Sequence, residues 1–293
     1  MAKQLRPLAG KVVVVTGGGR GIGAATARAL VARGARVAIG DVDLEAAERT
    51  AAELGAGAVA RHLDVTDRPG FTAFLDGVEA ELGPLDVLVN NAGIMPLSAV
   101  ENESDAVVVR QLELNLHAVI HGSKEAIRRM KPRGGGHIVN VASVAGKAGF
   151  PGGATYCAAK HGVVGFSEAI RLELRGTGVE VSCVMPSLVA TELAVGVGDS
   201  PWVRRARAED VANAIVGALE VPRFDVFVPK VSGSIMRVLA PMPRRWREGV
   251  ARVLKTDRLL LDAAGGHDRA AYEARAARST PAADAPAVER AAA

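Results

Sequence analysis

The sequence predicts a doubly wound α/β fold, a single parallel sheet of about seven strands with helices on both faces. Two observations carry it. Short apolar, β-branched runs alternate with Ala- and Leu-rich helical stretches from Lys11 to about Pro229. The runs are continuously apolar, as expected of strands covered on both sides. Strands alternating with helices of roughly 10 to 20 residues imply right-handed βαβ units.

The elements follow in order. Val12–Val15 is the first strand, and Gly21–Arg33 a helix with apolar Ile22, Ala25, Ala29 and Leu30, closed by Gly34. Arg36–Gly40 is the second strand and Leu44–Leu54 the next helix, ended by Gly55. Val59–Leu63 precedes a helix over Gly70–Leu82 that stops at Gly83-Pro84. Leu85–Asn90 leads into one long helical stretch, Asp105–Met130. His137–Ala142, a helix at Tyr156–Arg175 and Val179–Met185 follow, and after a loop near Val189–Trp202 come a helix at Ala208–Glu220 and a last strand at Phe224–Val228. Residues 1–230 therefore read as one catalytic-sized domain, 231–279 as a basic, partly helical extension, and 280–293, Ala/Pro-rich, as a disordered tail.

Composition narrows the class. The chain has 293 residues, 49% hydrophobic and 23% charged, with 33 glycines, which suits a globular protein and excludes collagen or wholesale disorder. Net charge is +4, too mild to argue for nucleic acid. Cys157 and Cys183 are the only cysteines, so a disulfide framework is excluded. His117 and His121 are four apart, but no cysteine or acidic pattern accompanies the histidines, so no metal site is expected. No apolar run reaches the roughly 20 residues that span a bilayer, and Met1–Gly10 lacks the apolar stretch of a secretory signal. A reducing, cytoplasmic setting is expected.

Thr16-Gly17-Gly18-Gly19-Arg20-Gly21-Ile22-Gly23 joins the first strand to the first helix. Glycines serve where the backbone turns tightly and where a pyrophosphate comes closer than a Cβ allows, and the helix N-terminus offers free N–H groups to phosphates. Asp41 ends the second strand, where a carboxylate accepts both adenosine ribose hydroxyls and repels a 2′-phosphate. NAD is thus expected over NADP. Arg20 pulls toward NADP, because a guanidinium can pair with that phosphate, and a plain turn cap is the competing reading of Asp41. Asp64, before Val65, suits either an adenine contact or a cap.

Ser143 closes the fifth strand, and Tyr156 and Lys160 stand four apart on one face of the following helix. A nearby cation favours the phenolate of a tyrosine otherwise too weak a base at neutral pH. The expectation is that Lys160, together with an oxidised nicotinamide, lowers the Tyr156 pKa.

Thr16–Gly23, Asn90-Asn91-Ala92-Gly93, Asn115, Ser143, Tyr156–Lys160 and the Pro186…Thr191 turn stand in the order and spacing of the short-chain dehydrogenase/reductase family, which residues 8 to 230 resemble. The resemblance implies a Rossmann-type cofactor domain. It implies Tyr156 as general acid/base, Ser143 on the same substrate oxygen, Lys160 as tuner and holder of the nicotinamide ribose, and Asn115 positioning a water that links the lysine to solvent. Asn91, Ala92 and Gly93 would support the sheet and contact the adenosine ribose. Thr191 and the backbone of Val189 would meet the carboxamide. The family commonly has Pro-Gly where this chain has Pro186-Ser187, so Ser187 adds a side chain beside the nicotinamide.

Residues 94–98, Val144–Phe150 and Leu188–Val203 follow strand ends where such sheets bind ligands, and they carry few charges. Met95, Val144, Phe150, Ser187 and Leu188 are the expected substrate wall, suited to a steroid-, retinoid- or long-chain-like alcohol or ketone. Between Arg237 and Arg258 seven basic residues stand against two acidic ones, interleaved with Leu239, Met242, Trp246, Val250, Val253 and Leu254. This segment either lies on an anionic membrane or packs over the active site or a neighbouring subunit. Pro241 and Pro243 break any helix starting before them. An NADPH-dependent ketoacyl or polyketide reductase, and a non-catalytic NAD-binding scaffold, are the alternatives. The resemblance implies a homodimer or homotetramer paired through the two long helices.

Overall fold

A computed structural model describes residues 5–198, 205–253 and 258–278. The expected tail at 280–293, loop residues 199–203, Leu254 and Lys255 lie outside the described residues. Seven strands form one sheet: β1 (Val12–Thr16), β2 (Arg36–Asp41), β3 (Ala58–His62), β4 (Val87–Asn90), β5 (Gly136–Val141), β6 (Val179–Pro186) and β7 (Asp225–Val228). All are parallel, in the order β3-β2-β1-β4-β5-β6-β7. The chain reverses its direction of travel between β1 and β4, so a crevice opens there at the carboxyl ends of the strands.

The two faces follow from the pleat. Successive strand side chains point to opposite sides, so Val13 and Val15 join one apolar cluster and Val12 and Val14 another, all four being buried. The first cluster is closed by Ala27 and Leu30 of α1 (Gly21–Val31), Ala47 and Ala51 of α2 (Leu44–Leu54), and Val211, Ile215 and Leu219 of α7 (Ala208–Glu220). The second is closed by Phe71, Leu75 and Val78 of α3 (Arg68–Leu82), Ala126 and Met130 of α5 (Ala118–Met130), and Ile170 of α6 (Ala154–Glu173). Asp43 caps α2 by accepting the Ala46 N–H at 3.0 Å, and Asp67 caps α3 by accepting that of Gly70 at 3.1 Å.

The expected single helix 105–130 is α4 (Asp105–Leu112) and α5 joined by a π-turn over Glu113–His117. Apolar periodicity does not reveal such a turn, which shifts the hydrogen-bond ladder by one residue and is frequent at functional sites. A buried polar chain fastens this region to the sheet. The Asn90 amide donates to Asn140 at 2.9 Å and to Ser123 at 3.2 Å, and the Asn140 amide donates to Ser167 at 2.9 Å.

Beyond β7 the chain makes α8 (Lys230–Leu239), α9 (Arg244–Val253) and α10 (Ala270–Arg278). α8 lies so close to β7 that a Cβ on Gly233 would come within 2.6 Å of the Phe227 ring. The break at Pro241–Pro243 separates α8 from α9, and α9 leaves Trp246 and Val253 exposed. α10 turns back onto the domain, where Tyr272 and Ala276 join the second cluster and Arg269 is completely buried. Among the described residues no helix is long and apolar enough to cross a membrane.

His137, at the start of β5, is buried with its Nε2 2.9 Å from the Ser182 hydroxyl, and burial pushes its pKa down from 6.5 to about 3. The unfolded chain therefore takes up a proton that the folded one excludes, so stability is lost as pH falls below 6.5. The expected loss from this group is about 1.4 kcal/mol per pH unit, or about 2 kcal/mol between pH 6.5 and 5. Urea denaturation of wild type and His137→Gln at both pH values checks it; parallel curves for the two proteins contradict the assignment.

Candidate active site

The glycine-rich turn is held from behind by Thr16 and Asn91. The Thr16 hydroxyl accepts the Asn91 and Ala92 N–H groups at 3.0 and 3.1 Å, and the Asn91 amide donates to the Thr16 and Gly17 carbonyls at 2.9 and 3.1 Å. Gly17 has φ +63, and a Cβ there would meet the Ala92 backbone at 2.8 Å. A Cβ on Gly23 would fall 2.1 Å from the Gly17 carbonyl. Gly17, Arg20, Gly21 and Ile22 line the cleft, as do Asn91, Ala92 and Gly93. Thr16, Gly19 and Gly23 shape the turn from within: Thr16 is buried beneath it, a Cβ on Gly19 would meet Asp41 and Ala46 of α2, and one on Gly23 the Gly17 carbonyl.

Asp41 caps the turn and also lines the cleft. It accepts the Gly19 and Asp43 N–H groups at 2.9 and 3.0 Å while facing the cleft. The Arg20 guanidinium is 2.7 Å from the Asp43 carboxylate, whose hydrogen bond raises the arginine pKa further. Asp64 also faces the cleft beside Val65 and accepts both the N–H and the hydroxyl of Thr66, at 2.8 and 2.7 Å. Asp64 thus caps the turn after β3, while the N-cap of α3 is Asp67.

These groups fit a dinucleotide. The first N–H groups of α1 have no intrahelical acceptor, no side chain caps them, and no acid stands in the first turn. A bare helix N-terminus next to a side-chain-free turn is a ready anion site, and the Asp41 carboxylate that lines the far end would suit ribose hydroxyls. Pro186, Val189 and Thr191 line the other side, with the Thr191 methyl 3.4 Å from where a Gly21 Cβ would stand.

Ser143, Tyr156, Lys160 and Asn115 converge beyond β4 and β5, all lining the same cleft. Ser143 accepts the Ala145 N–H at 3.1 Å, donates to the Pro186 carbonyl at 3.4 Å, and is hydrogen-bonded to the Tyr156 hydroxyl. Lys160 donates to the Val141 carbonyl at 2.9 Å, with its ammonium 5.6 Å from the Tyr156 ring centre. Burial pushes the phenol well above its ordinary value, against the pull of Ser143, and pushes Lys160 down to about 8. In the chain alone, desolvation of the phenol dominates, and the ammonium lies over the ring face, bound to a backbone carbonyl. Asn115 engages the backbone of the segment after β4. Its side-chain oxygen accepts the Ile94 N–H at 2.9 Å and its amide donates to the Ile94 carbonyl at 2.8 Å. It clamps the segment after β4, and a Cβ on Gly93 would strike its oxygen at 2.7 Å.

Met95, Val144, Phe150, Ser187 and Leu188 line the substrate end, joined by Leu193, Leu260 and Tyr272. Cofactor and substrate ends form one cleft of about 1780 Å³. The Ser187 hydroxyl is buried at its edge with no hydrogen-bond partner among the described residues. Sequence reasoning missed Arg269, which donates to the carbonyls of Leu193 (3.0 Å), Val195 (2.7 Å) and Met95 (2.7 Å), and so ties α10 to both substrate-side loops. It also missed Tyr272. The available signal was its rarity, since the chain has only 2 tyrosines and both face this cleft.

Comparison with known proteins agrees with this geometry. Residues 11–201 match the short chain dehydrogenase family. A 3-alpha-(or 20-beta)-hydroxysteroid dehydrogenase of Mycobacterium tuberculosis is 38% identical over 213 residues, covering 71% of this chain and 82% of the relative. A 3-oxoacyl-(acyl-carrier-protein) reductase of Haemophilus influenzae is 36% identical over 215 residues, covering 70% and 89%. The crystal structure of a short chain dehydrogenase/reductase from Burkholderia phymatum in complex with NAD superposes with a TM-score of 0.74 at 27% identity, covering 80% of this chain and 94% of that one.

An orphaned buried hydroxyl costs about 1 to 3 kcal/mol. Ser187→Ala is therefore expected to raise the melting temperature of the ligand-free protein, by about 2 to 4 °C per kcal/mol recovered. Scanning fluorimetry measures this directly, and a lower melting temperature would mean that the hydroxyl is satisfied in solution.

Proposed function

The chain belongs to the short-chain dehydrogenase family, and on that footing we propose that it passes a hydride between NAD and a lipophilic secondary alcohol or ketone, with Tyr156 as general acid and base. Family membership makes it an NAD(P)-dependent oxidoreductase of alcohols. The observation that carries the finer reading is the joining of two sites in one cleft, an uncapped helix N-terminus over a glycine turn and a Ser143–Tyr156–Lys160 wall.

When bound, the nicotinamide takes up or supplies the hydride at the substrate carbon. The chain's own residues handle the proton. In reduction the neutral phenol of Tyr156 gives its proton to the carbonyl oxygen, and burial keeps that phenol protonated. In oxidation the same oxygen takes the alcohol proton, and the Lys160 charge over the ring favours the phenolate. Ser143 donates to the substrate oxygen as negative charge develops on it. Asn115 keeps the loop carrying Met95 in register through Ile94.

NAD is favoured over NADP because Asp41 faces the cleft while Arg20 is engaged by Asp43. The apolar lining of Met95, Phe150, Leu188 and Leu193 and the hydroxysteroid dehydrogenase relative support a bulky lipophilic substrate. The reductase relative keeps an NADPH-dependent ketoacyl reduction as the second reading. Exposed Val109 on α4 and Leu172 on α6 support pairing of two copies through these helices. Trp246 and Val253, exposed among the arginines of α9, support contact with an anionic membrane surface.

Tyr156→Phe is expected to lower turnover at least about 10²-fold while NAD affinity stays within a few-fold. Nicotinamide absorbance with a panel of hydrophobic alcohols and ketones reads the first and fluorescence titration the second; retained turnover defeats the acid/base assignment. In parallel titrations wild type should bind NAD at least about tenfold tighter than NADP, and Asp41→Ser should erase the gap by removing a like-charge contact. Tighter NADP binding by wild type would favour the second reading.

A further inference from the structure

Tyr272 stands on α10, outside the segment matched by the family, yet it lines the cleft and is only 6% exposed. Its oxygen accepts the Met95 N–H at 2.7 Å. A phenol has one proton to give as well, and among the described residues no acceptor for it is present. Burial pushes its pKa up to about 12, so it remains a neutral donor throughout the physiological range.

The placement is built rather than incidental. Arg269 lies 5.1 Å from the Tyr272 ring centre, and its guanidinium is spent on the Leu193, Val195 and Met95 carbonyls. Arg275, on the same helix, pairs with Glu192 at 3.0 Å. Three contacts thus fix the ring against the loop after β4 and the turn after β6, the two loops between which Tyr156 lies. The two phenols line the same cleft, and negative charge on Tyr272 raises the Tyr156 pKa. A buried, unspent O–H beside the apolar Met95, Leu193 and Leu260 of the cleft selects for an oxygen, because a ligand lacking one leaves the donor unpaired.

We propose that the Tyr272 hydroxyl is a ligand-binding donor, hydrogen-bonding an oxygen of the molecule in the cleft other than the reacting one. That oxygen belongs either to the substrate, which then carries a second carbonyl or hydroxyl, or to the dinucleotide's ribose or phosphate. The substrate form deepens the function proposed above and rests on it; the dinucleotide form does not.

The test compares wild type with Tyr272→Phe in two arms. In the first, NAD is titrated by fluorescence; a rise in Kd of about fivefold or more assigns the donor to the dinucleotide. In the second, KM and kcat are measured for a steroid secondary alcohol with and without a ketone on the ring farthest from it. A KM rise of about fivefold or more confined to the ketone-bearing probe, with kcat within about twofold, assigns the donor to the substrate. Unchanged NAD affinity together with equal losses on both probes, or none, overturns the proposal and leaves Tyr272 as a packing residue. If wild type oxidises neither probe, the lipophilic-alcohol reading is what fails, and the NAD arm alone decides Tyr272. Tyr272→His, which keeps a ring N–H, serves if the phenylalanine variant does not fold; it should bind NAD and the ketone probe within about threefold of wild type, and a fivefold or greater loss on either counts against donation.

Discussion

A primary amine and a phenol taken out of water on one helix face set the terms for the rest of this active site. Isolated charges are costly to bury, so the chain can keep Lys160 there only by surrounding it with fixed partners. The Val141 carbonyl at the end of β5 takes one of its protons and the Tyr156 ring offers its π-face. Desolvation still draws the amine down to about 8 and drives the phenol up. The protein alone therefore holds a proton donor at this point. An oxyanion or cation arriving at the cleft meets groups whose charge states are readily shifted, because little solvent is present to screen the encounter.

That arrangement demands rigid backing, and the backing is polar. Asn115 holds Ile94 by both backbone groups, and the π-turn around it lets a side chain inside a helix face a loop squarely. Behind it, Asn90, Asn140, Ser123 and Ser167 bind β4 and β5 to α5 and α6 with their amides satisfied. Satisfied buried networks of this kind fix one packing arrangement where purely apolar contacts would allow several.

Much of this was legible from the chain. The β-branched runs gave the strands because strands buried on both faces need no alternation, and the glycine turn and Asp41 marked the cofactor end because few residue types tolerate that geometry and chemistry. Tyr156 and Lys160 were legible as a pair because helical spacing fixes their common face. Other features were hidden for definable reasons. The π-turn leaves no trace in apolar periodicity. The direction of the Tyr156 shift depends on how deeply the ring is buried, which spacing does not report. Arg20 looked available because its partner, Asp43, stands 23 residues away and no pattern in the sequence pairs them. Arg269 meets Met95 across 174 residues of sequence, and in a stretch rich in arginine and alanine one guanidinium looks like any other.

The return of α10 divides responsibilities along the chain. The glycine turn, Asp41, Ser143, Tyr156 and Lys160 lie before residue 201, inside the segment shared with the family, whereas α8, α9 and residues 258–278 all add side chains to the wall of the same cleft from outside that segment. Evolution, or an engineer, can therefore rewrite what the enzyme admits by exchanging α10, leaving Ser143, Tyr156 and Lys160 untouched so long as a buried guanidinium like that of Arg269 still fastens the replacement in place.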